Sequence, residues 1–387
     1  MVPARRPLEE IPKLAIRYPG HVDIPRMREG HLGAAFFSVW TPCPDTDDFH
    51  LPKDDVRDAF EMLDLIQNLV ERHPDDLSAA RTSADIRKAF KDGKIASLIG
   101  VEGTHFLGNS LSTVRLLAKM GARYMTLTHI CHSAFASSNG AGGKMQALHP
   151  GNGLTDLGRE LIPELNRLGV MIDLSHTSDE TATQAIALTK APVVWTHSGS
   201  RTVWDHPRNI PDVILRSIGN GPGKNPGVIQ SVFYPPFIGS PEIANTSQVA
   251  DHIEYIANIV GRKHVGIASD FDGMYASVIG LEDASKYPHL VSLSKLRLSK
   301  HTDGGQIAEM LSRGWSDEEV TDLMGENLLR VMDEVDAVSA RTQGELPSTA
   351  VWAGRKDLPA RWGGASDAYY PHEVKVEQRG ILNHDEL

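Results

Sequence analysis

Cysteine is nearly absent from this sequence: Cys43 and Cys131 are the only two in 387 residues. Two thiols cannot build a disulfide framework or an all-cysteine zinc site, and they leave room for one disulfide. No apolar run approaches the ~20 residues that a membrane-spanning helix needs. There is no basic stretch of the kind that tracks phosphates, and the formal net charge is −11, so nucleic acid is not expected as a partner. The opening MVPARRPLEEIPKLA has no apolar core and does not read as a signal peptide. Taken as written, the chain is expected in the cytoplasm. Its last four residues, His384-Asp385-Glu386-Leu387, spell an HDEL retention address. That address has meaning in the secretory pathway or endoplasmic reticulum only if a signal peptide once preceded residue 1; otherwise it is a chance tail.

What is present is ordinary globular material, 41% hydrophobic and 23% charged, enough to bury a large core. Short apolar runs recur at 34–40, 96–103, 123–129, 170–176, 192–198, 227–234 and 264–271. They are apolar throughout rather than alternating, as strands buried on both faces are. Amphipathic segments lie between them, at 53–72, 110–120, 157–168 and 180–189, with Ser178 and Asp179 placed to cap the last. This rhythm predicts a parallel sheet covered by helices, and specifically a TIM-like (β/α)8 barrel. Seven strands are identifiable where a closed barrel needs eight. All seven are followed by plausible helices, and residues 1–33 hold no convincing buried strand, so the first strand is expected to be absent. The resulting division is a remnant at 1–20, the barrel at 21–336 and a polar, Pro- and Gly-containing tail at 337–387. The Gly-rich stretch 139–153 reads either as a loop covering the active face or as a solvated insertion.

Several runs end in a side chain able to bind metal: Glu102 after SLIGV, His129 after YMTLT, His176 after MIDLS, His197 after VVWT and Asp270 after VGIAS. All strand C-termini of a parallel barrel open on one face, so these five side chains should converge. A single buried histidine is more often a satisfied core residue. Five polar groups at corresponding strand ends resist that reading, because burying them unpaired costs a few kcal/mol each. Imidazole and carboxylate suit zinc, or less often manganese, cobalt or iron. Zinc polarises a carbonyl and brings the pKa of a bound water to ~7, and a carboxylate such as Glu102 could bridge two ions.

The segments TPCP (41–44), SLIGVEG (97–103), RYMTLTHICH (123–132), ELNRLGVMIDLSHTS (164–178), APVVWTHS (191–198), HPRNIPD (206–212), NTSQVADHIEYI (245–256), VGIASDFDG (265–273), LEDASKYP (281–288) and GENLLRV (325–331) occur in this order. Together they resemble the renal (membrane) dipeptidase family, peptidase family M19 of the amidohydrolase superfamily, over about residues 20–335. The resemblance implies a metallo-dependent hydrolase barrel holding one or two zinc ions and hydrolysing free dipeptides. By it, Glu102 matches a bridging carboxylate, and His176 and His197 match the other ligands of one zinc. Asp270 matches an acid/base aspartate, His129 a substrate-facing histidine, and Arg208 the arginine that receives the substrate carboxylate. A guanidinium suits that last role, since it can hold a carboxylate through two parallel hydrogen bonds; read alone, Arg208 would be a surface residue. Cys43 and Cys131 match a disulfide of secreted members, the alternative being two reduced thiols. Family members are often dimers, so a homodimer is also expected.

The match departs from the family at the front. The family's first strand ends in a His-x-Asp pair that binds the second zinc. His21-Val22-Asp23 imitates it, but its context resembles the linker into the second strand, so neither residue is expected to bind metal. An opened barrel edge should expose core surface and leave the chain unstable or weakly active. A smaller departure is Ala134-Phe135-Ala136-Ser137, in place of a Trp-Ala-Asp-like stretch. Two other functions follow from the same scaffold: another amidohydrolase, such as a lactonase, phosphotriesterase or deacylase, and a one-zinc protein that binds without turnover.

Overall fold

The computed structural model describes residues 14–17, 19–44, 55–140, 153–291 and 309–352. Its strands are β1 (Ala34–Val39), β2 (Leu77–Ala79), β3 (Ile95–Glu102), β4 (Ala122–Thr126), β5 (Met171–Asp173), β6 (Val193–Ser198), β7 (Val228–Ser231) and β8 (Val265–Ile267). Every pairing is parallel, in the order β1-β3-β4-β5-β6-β7-β8. All seven expected runs are strands. The unexpected one is β2, three residues that pair with Ile95–Ser97, while β4 pairs further along β3 from Ile99 to Glu102. It is too short to carry a detectable pattern and does not serve as an eighth stave.

Alternate residues of β3 go to different clusters. Ala96 and Leu98 pack with Tyr124, Met171, Val194, Val228 and with Leu329, Met332 and Val335 of the helix Asn327–Thr342. Val101 joins Met125, Ile172 and Trp195 in the larger cluster shared with the covering helices. Side chains two apart on a strand share a face, so Glu102 points the same way as Ala96 and Leu98. Gly100 lies between them because a Cβ there would meet the Tyr124 ring at 2.1 Å.

The covering helices start where the sequence places caps. Ser110 accepts from Ser112 N, Thr155 from Gly158 N and Ser178 from Thr181 N. The helix Asp55–Arg72 buries Met62, Leu63, Leu65, Ile66 and Leu69 along one face. The boundary expected at 336 falls inside the helix Asn327–Thr342, so residues 337–342 continue the barrel's last helix. That helix is amphipathic to its end, burying Val335, Val338 and Thr342. Residues 353–387, with the HDEL tail, and most of the 139–153 loop lie outside the described residues.

Among the described residues no strand joins β8 to β1. Before β1 stands a short helix, Ile24–Glu29, whose Ile24 and Met27 pack with Leu65, Leu69, Leu77, Ile95 and Ala284. It is tied to the chain beyond β8. Ala284 N donates to the His21 carbonyl, His21 N donates to Asp272 Oδ1, and the His21 ring stacks on Phe271. Apolar surface near the gap is thus covered by a helix rather than by a pleated strand.

Candidate metal centre

The five metal-capable side chains occupy the carboxyl ends of four neighbouring staves and β8. Glu102 ends β3 and His197 lies in β6, while His129, His176 and Asp270 each stand three residues beyond β4, β5 and β8. His176 and Asp270 have φ of +67° and +63°. Left-handed backbone in a non-glycine residue costs of order 1 kcal/mol or more and is sustained only where the surroundings impose it. Here it turns two polar side chains, the buried His176 and the half-buried Asp270, toward a common point.

That point is defined by three atoms. His176 Nε2 and His197 Nε2 are 2.9 Å apart, and Glu102 Oε1 lies 3.4 Å from the first and 3.2 Å from the second. A zinc ion held at 2.0–2.1 Å by nitrogen and oxygen in tetrahedral geometry separates its ligands by about 3.3 Å. The donor set therefore fits such an ion. His129 Nε2 is 4.0 Å from Glu102 Oε1. Two triads meeting the spacing of a metal site share Glu102: Glu102–His129–His176 and Glu102–His197–Asp270, each with donor atoms within 4.8 Å of one another.

Burial and charge set the protonation of the cluster. Burial alone would push the Glu102 carboxyl up, but His176 and His197 beside it hold it well below the usual carboxylate range. Burial, reinforced by Arg208 and His129, holds His176 well below the ordinary histidine value. Burial also takes His129 down to about 4. His197 goes the other way: burial favours its neutral ring, but Asp270 and Glu102 raise it. Burial, with Glu102 adding repulsion, lifts Asp270 to about 6.

Arg208 reaches this cluster from the segment after β6. Its side chain is buried, lies over the Phe237 ring at 5.0 Å, and donates through Nη2 to the His197 carbonyl at 3.2 Å. Its Nε has no hydrogen-bond partner, and among the described residues no carboxylate forms an ion pair with it. Burial lowers it to about 10. The bland reading of Arg208 as a surface residue does not hold.

His21 and Asp23 stand apart. Asp23 caps the helix Ile24–Glu29, with Oδ1 accepting from Arg26 N at 2.9 Å and Oδ2 from Arg26 Nε at 2.7 Å. His21 Nδ1 accepts from Asp272 N at 3.1 Å. Cys43 and Cys131 form a disulfide joining the loop after β1 to that after β4, with Cys43 Sγ 3.9 Å from His129 Nδ1. Their sulfurs are consequently not metal ligands, although His105 lies close to both.

Sequence reasoning did not single out Asp173, Trp40 or His105. Asp173 was legible as a charged residue inside the apolar run MIDLS; it is fully buried under His197. Trp40 and His105 carry no such mark, yet the Trp40 ring meets His129 edge-on at 5.4 Å. His105 is held at about 4 by burial.

His252, remote from the cluster, behaves like His105. Its Nδ1 accepts from Ser200 N at 2.9 Å and its Nε2 donates to the Ile238 carbonyl at 3.0 Å, a pattern that needs the neutral ring. Burial lowers it to about 4. A histidine whose folded value lies below its unfolded ~6.5 contributes stability that is present above 6.5 and is lost as pH falls toward 4. Urea unfolding should therefore show about 2 kcal/mol less stability at pH 5 than at pH 7 from His252 alone. In His252→Gln that increment should vanish from the pH dependence; an unchanged pH dependence would count against the buried neutral ring.

The family model described as membrane dipeptidase (peptidase family M19) matches residues 6–346. The chain belongs to the membrane dipeptidase family. Dipeptidase verJ of Clonostachys rogersoniana is 39% identical over 332 residues, covering 83% of this chain and 77% of that protein. Dipeptidase tcpJ of Claviceps purpurea (strain 20.1) is 36% identical over 361 residues, covering 91% of this chain and 78% of that protein. Among solved structures, the probable dipeptidase PvdM from Pseudomonas aeruginosa superposes with a TM-score of 0.72 at 24% identity, covering 86% of this chain and 94% of that one. A Rhodobacter sphaeroides metallo peptidase liganded with a phosphinate mimic of the dipeptide L-Ala-D-Ala gives 0.68 at 23% identity, covering 85% and 96%. These two likenesses bear on the fold. Family membership makes this a metallo-dipeptidase-type enzyme, and a metal cofactor follows from the family together with the clustered donors. Among the described residues no helix of this membrane dipeptidase relative is long and apolar enough to cross a membrane.

Proposed function

We propose that this protein hydrolyses the peptide bond of free dipeptides and that its metal is zinc. The observation that carries the substrate reading is Arg208: a buried guanidinium beside the ligand cluster without a carboxylate partner among the described residues. An unpaired buried cation is costly, and a substrate's free carboxylate would relieve that cost through charge-assisted bonds. A cation held beside the ligand cluster favours a substrate with a free carboxylate near the scissile bond.

In this reading Glu102, His176 and His197 hold one ion. His129 groups with Glu102 and His176, and Asp270 with Glu102 and His197, so both stand beside the same donors. Bound zinc supplies Lewis-acid polarisation and acidifies a water. The chain's own groups do the rest. Arg208 fixes the carboxylate end. His129, neutral at assay pH, presents Nε2 toward the scissile carbonyl. Asp270, lifted to about 6 by burial, is poised to take a proton from the attacking water and return it to the leaving amine. The enclosing disulfide suits an oxidising compartment.

The test is turnover of an unblocked dipeptide by zinc-supplemented protein, set against the same dipeptide with its C-terminus amidated. Cleavage of the free form and little of the amide is the expected result. Equal cleavage of both would favour another amidohydrolase activity, and zinc binding without any turnover would favour the one-zinc binding protein.

A further inference from the structure

Asp173 is the last residue of β5 and is fully buried. Its carboxylate accepts four hydrogen bonds from neutral donors. Oδ2 takes the hydroxyls of Thr126 at 2.5 Å and Thr196 at 2.7 Å; Oδ1 takes the backbone N–H of Ser175 at 3.0 Å and of Thr196 at 2.9 Å. No cation pairs with it among the described residues. A buried carboxylate held only by hydroxyls and amides has been placed there for something other than charge balance.

The chain of donors shows what. Thr196 Oγ1 also lies 2.8 Å from His197 Nδ1. A hydroxyl has one proton, and an ionised carboxylate can only accept. With the Thr196 proton committed to Asp173, Thr196 Oγ1 can only accept from His197, so Nδ1 must carry the hydrogen. The other nitrogen, Nε2, is then the one left to bind, and it is the atom that faces His176 Nε2 and Glu102 Oε1. The backbone of His197 is steadied by the same group, since its N–H donates to Ser175 Oγ at 3.1 Å and Ser175 N is itself bound to Asp173. Among the described residues His176 has no such support; its buried Nδ1 has no partner there.

We propose that Asp173, acting through the Thr196 hydroxyl, is the positioning residue that fixes the His197 tautomer and aims its Nε2 into the metal centre. This rests on the reading of Glu102, His176 and His197 as ligands of one ion. Groups that orient a ligating histidine typically change metal affinity by roughly 10–100-fold when removed. The arrangement is indirect, with a threonine hydroxyl between carboxylate and imidazole. It makes the threonine as necessary as the aspartate.

Two measurements test it. The first is zinc affinity by competition with a chromogenic chelator, for the unmodified chain, Thr196→Val, Thr196→Ser and Asp173→Asn. Thr196→Val keeps the shape and loses the hydroxyl, and should bind zinc roughly 10–100-fold more weakly, whereas Thr196→Ser should restore binding to within a few-fold. Asp173→Asn, whose amide can donate to Thr196 and reverse the chain, should follow the valine variant. Cobalt-substituted protein should show a changed visible spectrum in the valine but not the serine variant. Folded Thr196→Val with unaltered zinc affinity and cobalt spectrum would overturn the proposal. The second measurement does not depend on any variant being stable. Long-range proton–nitrogen spectra of the chelator-treated, ¹⁵N-histidine-labelled chain, with His197→Gln for assignment, report the tautomer directly. A hydrogen on Nδ1 is expected; a hydrogen on Nε2 alone would overturn it. Should the protein bind no zinc at all, the ligand reading fails, while the nitrogen spectra still decide the tautomer.

Discussion

Glu102→Ala is expected to lower zinc-dependent turnover of an unblocked dipeptide by roughly 10³-fold or more. Glu102 Oε1 is the atom common to both candidate metal triads, within 3.4 Å of His176 Nε2 and His197 Nε2. Removing it takes away the only acidic group that both triads share. The His176 and His197 imidazoles then face each other without the carboxylate that lies closest to both. Metal catalysis of this type supplies several kcal/mol of transition-state stabilisation, and each 1.36 kcal/mol is tenfold in rate. The loss of binding should be measurable separately, as weaker zinc retention during dialysis. Fold should survive, because Glu102 lies at the open end of β3 beyond the residues that pack the barrel, Ala96 and Leu98. Retention of more than a tenth of the activity, with metal bound, would remove Glu102 from the centre.

Arg208→Ala is expected to lower kcat/KM for a free dipeptide by roughly 10²–10³-fold and to spare an amidated analogue. Truncating one partner of a buried charge pair costs about 2–5 kcal/mol. In the proposed reading the partner is the substrate, so the cost should appear only with a substrate carrying a carboxylate. If the carboxylate is held equally in ground and transition states, KM rises and kcat changes little. Arg208→Lys should recover little, since an ammonium lacks the planar fork and cannot lie over Phe237 in the same way. Equal losses on the free and amidated substrates would mean that Arg208 supports the His197 segment, to whose carbonyl it donates, rather than the substrate.

Much of this site could be read before any coordinates, and particular residues show why. Strands buried on both faces are continuous apolar runs, so a polar residue closing such a run is conspicuous. That is how Glu102, His129, His176, His197 and Asp270 stood out, and the parallel topology alone required them to meet. Capping side chains gave the helix starts at Ser110 and Ser178 for equally local reasons. Among the described residues no strand stands between β8 and β1, in line with the seven apolar runs counted in the sequence.

Other features have no local signature. β2 is three residues without periodicity, and it exists only because β3 leaves part of one edge unpaired beside β4. The helix Ile24–Glu29 buries Ile24 and Met27 in a cluster with Leu65, Ile95 and Ala284, residues distant along the chain. Asp23 beside His21 looks like half of a metal site until Arg26 is seen to occupy its carboxylate.

What the sequence determined by itself was the set of chemical groups and the end of the sheet on which they gather, because strand period and parallel order are properties of short segments. What only the tertiary structure decided was the state of each group: the depressed His176 against the raised His197, the buried and unpaired Arg208, and the Thr196 proton committed to Asp173. Protonation and hydrogen-bond direction depend on burial and on neighbours within a few ångströms, and those neighbours come from strands up to about a hundred residues apart.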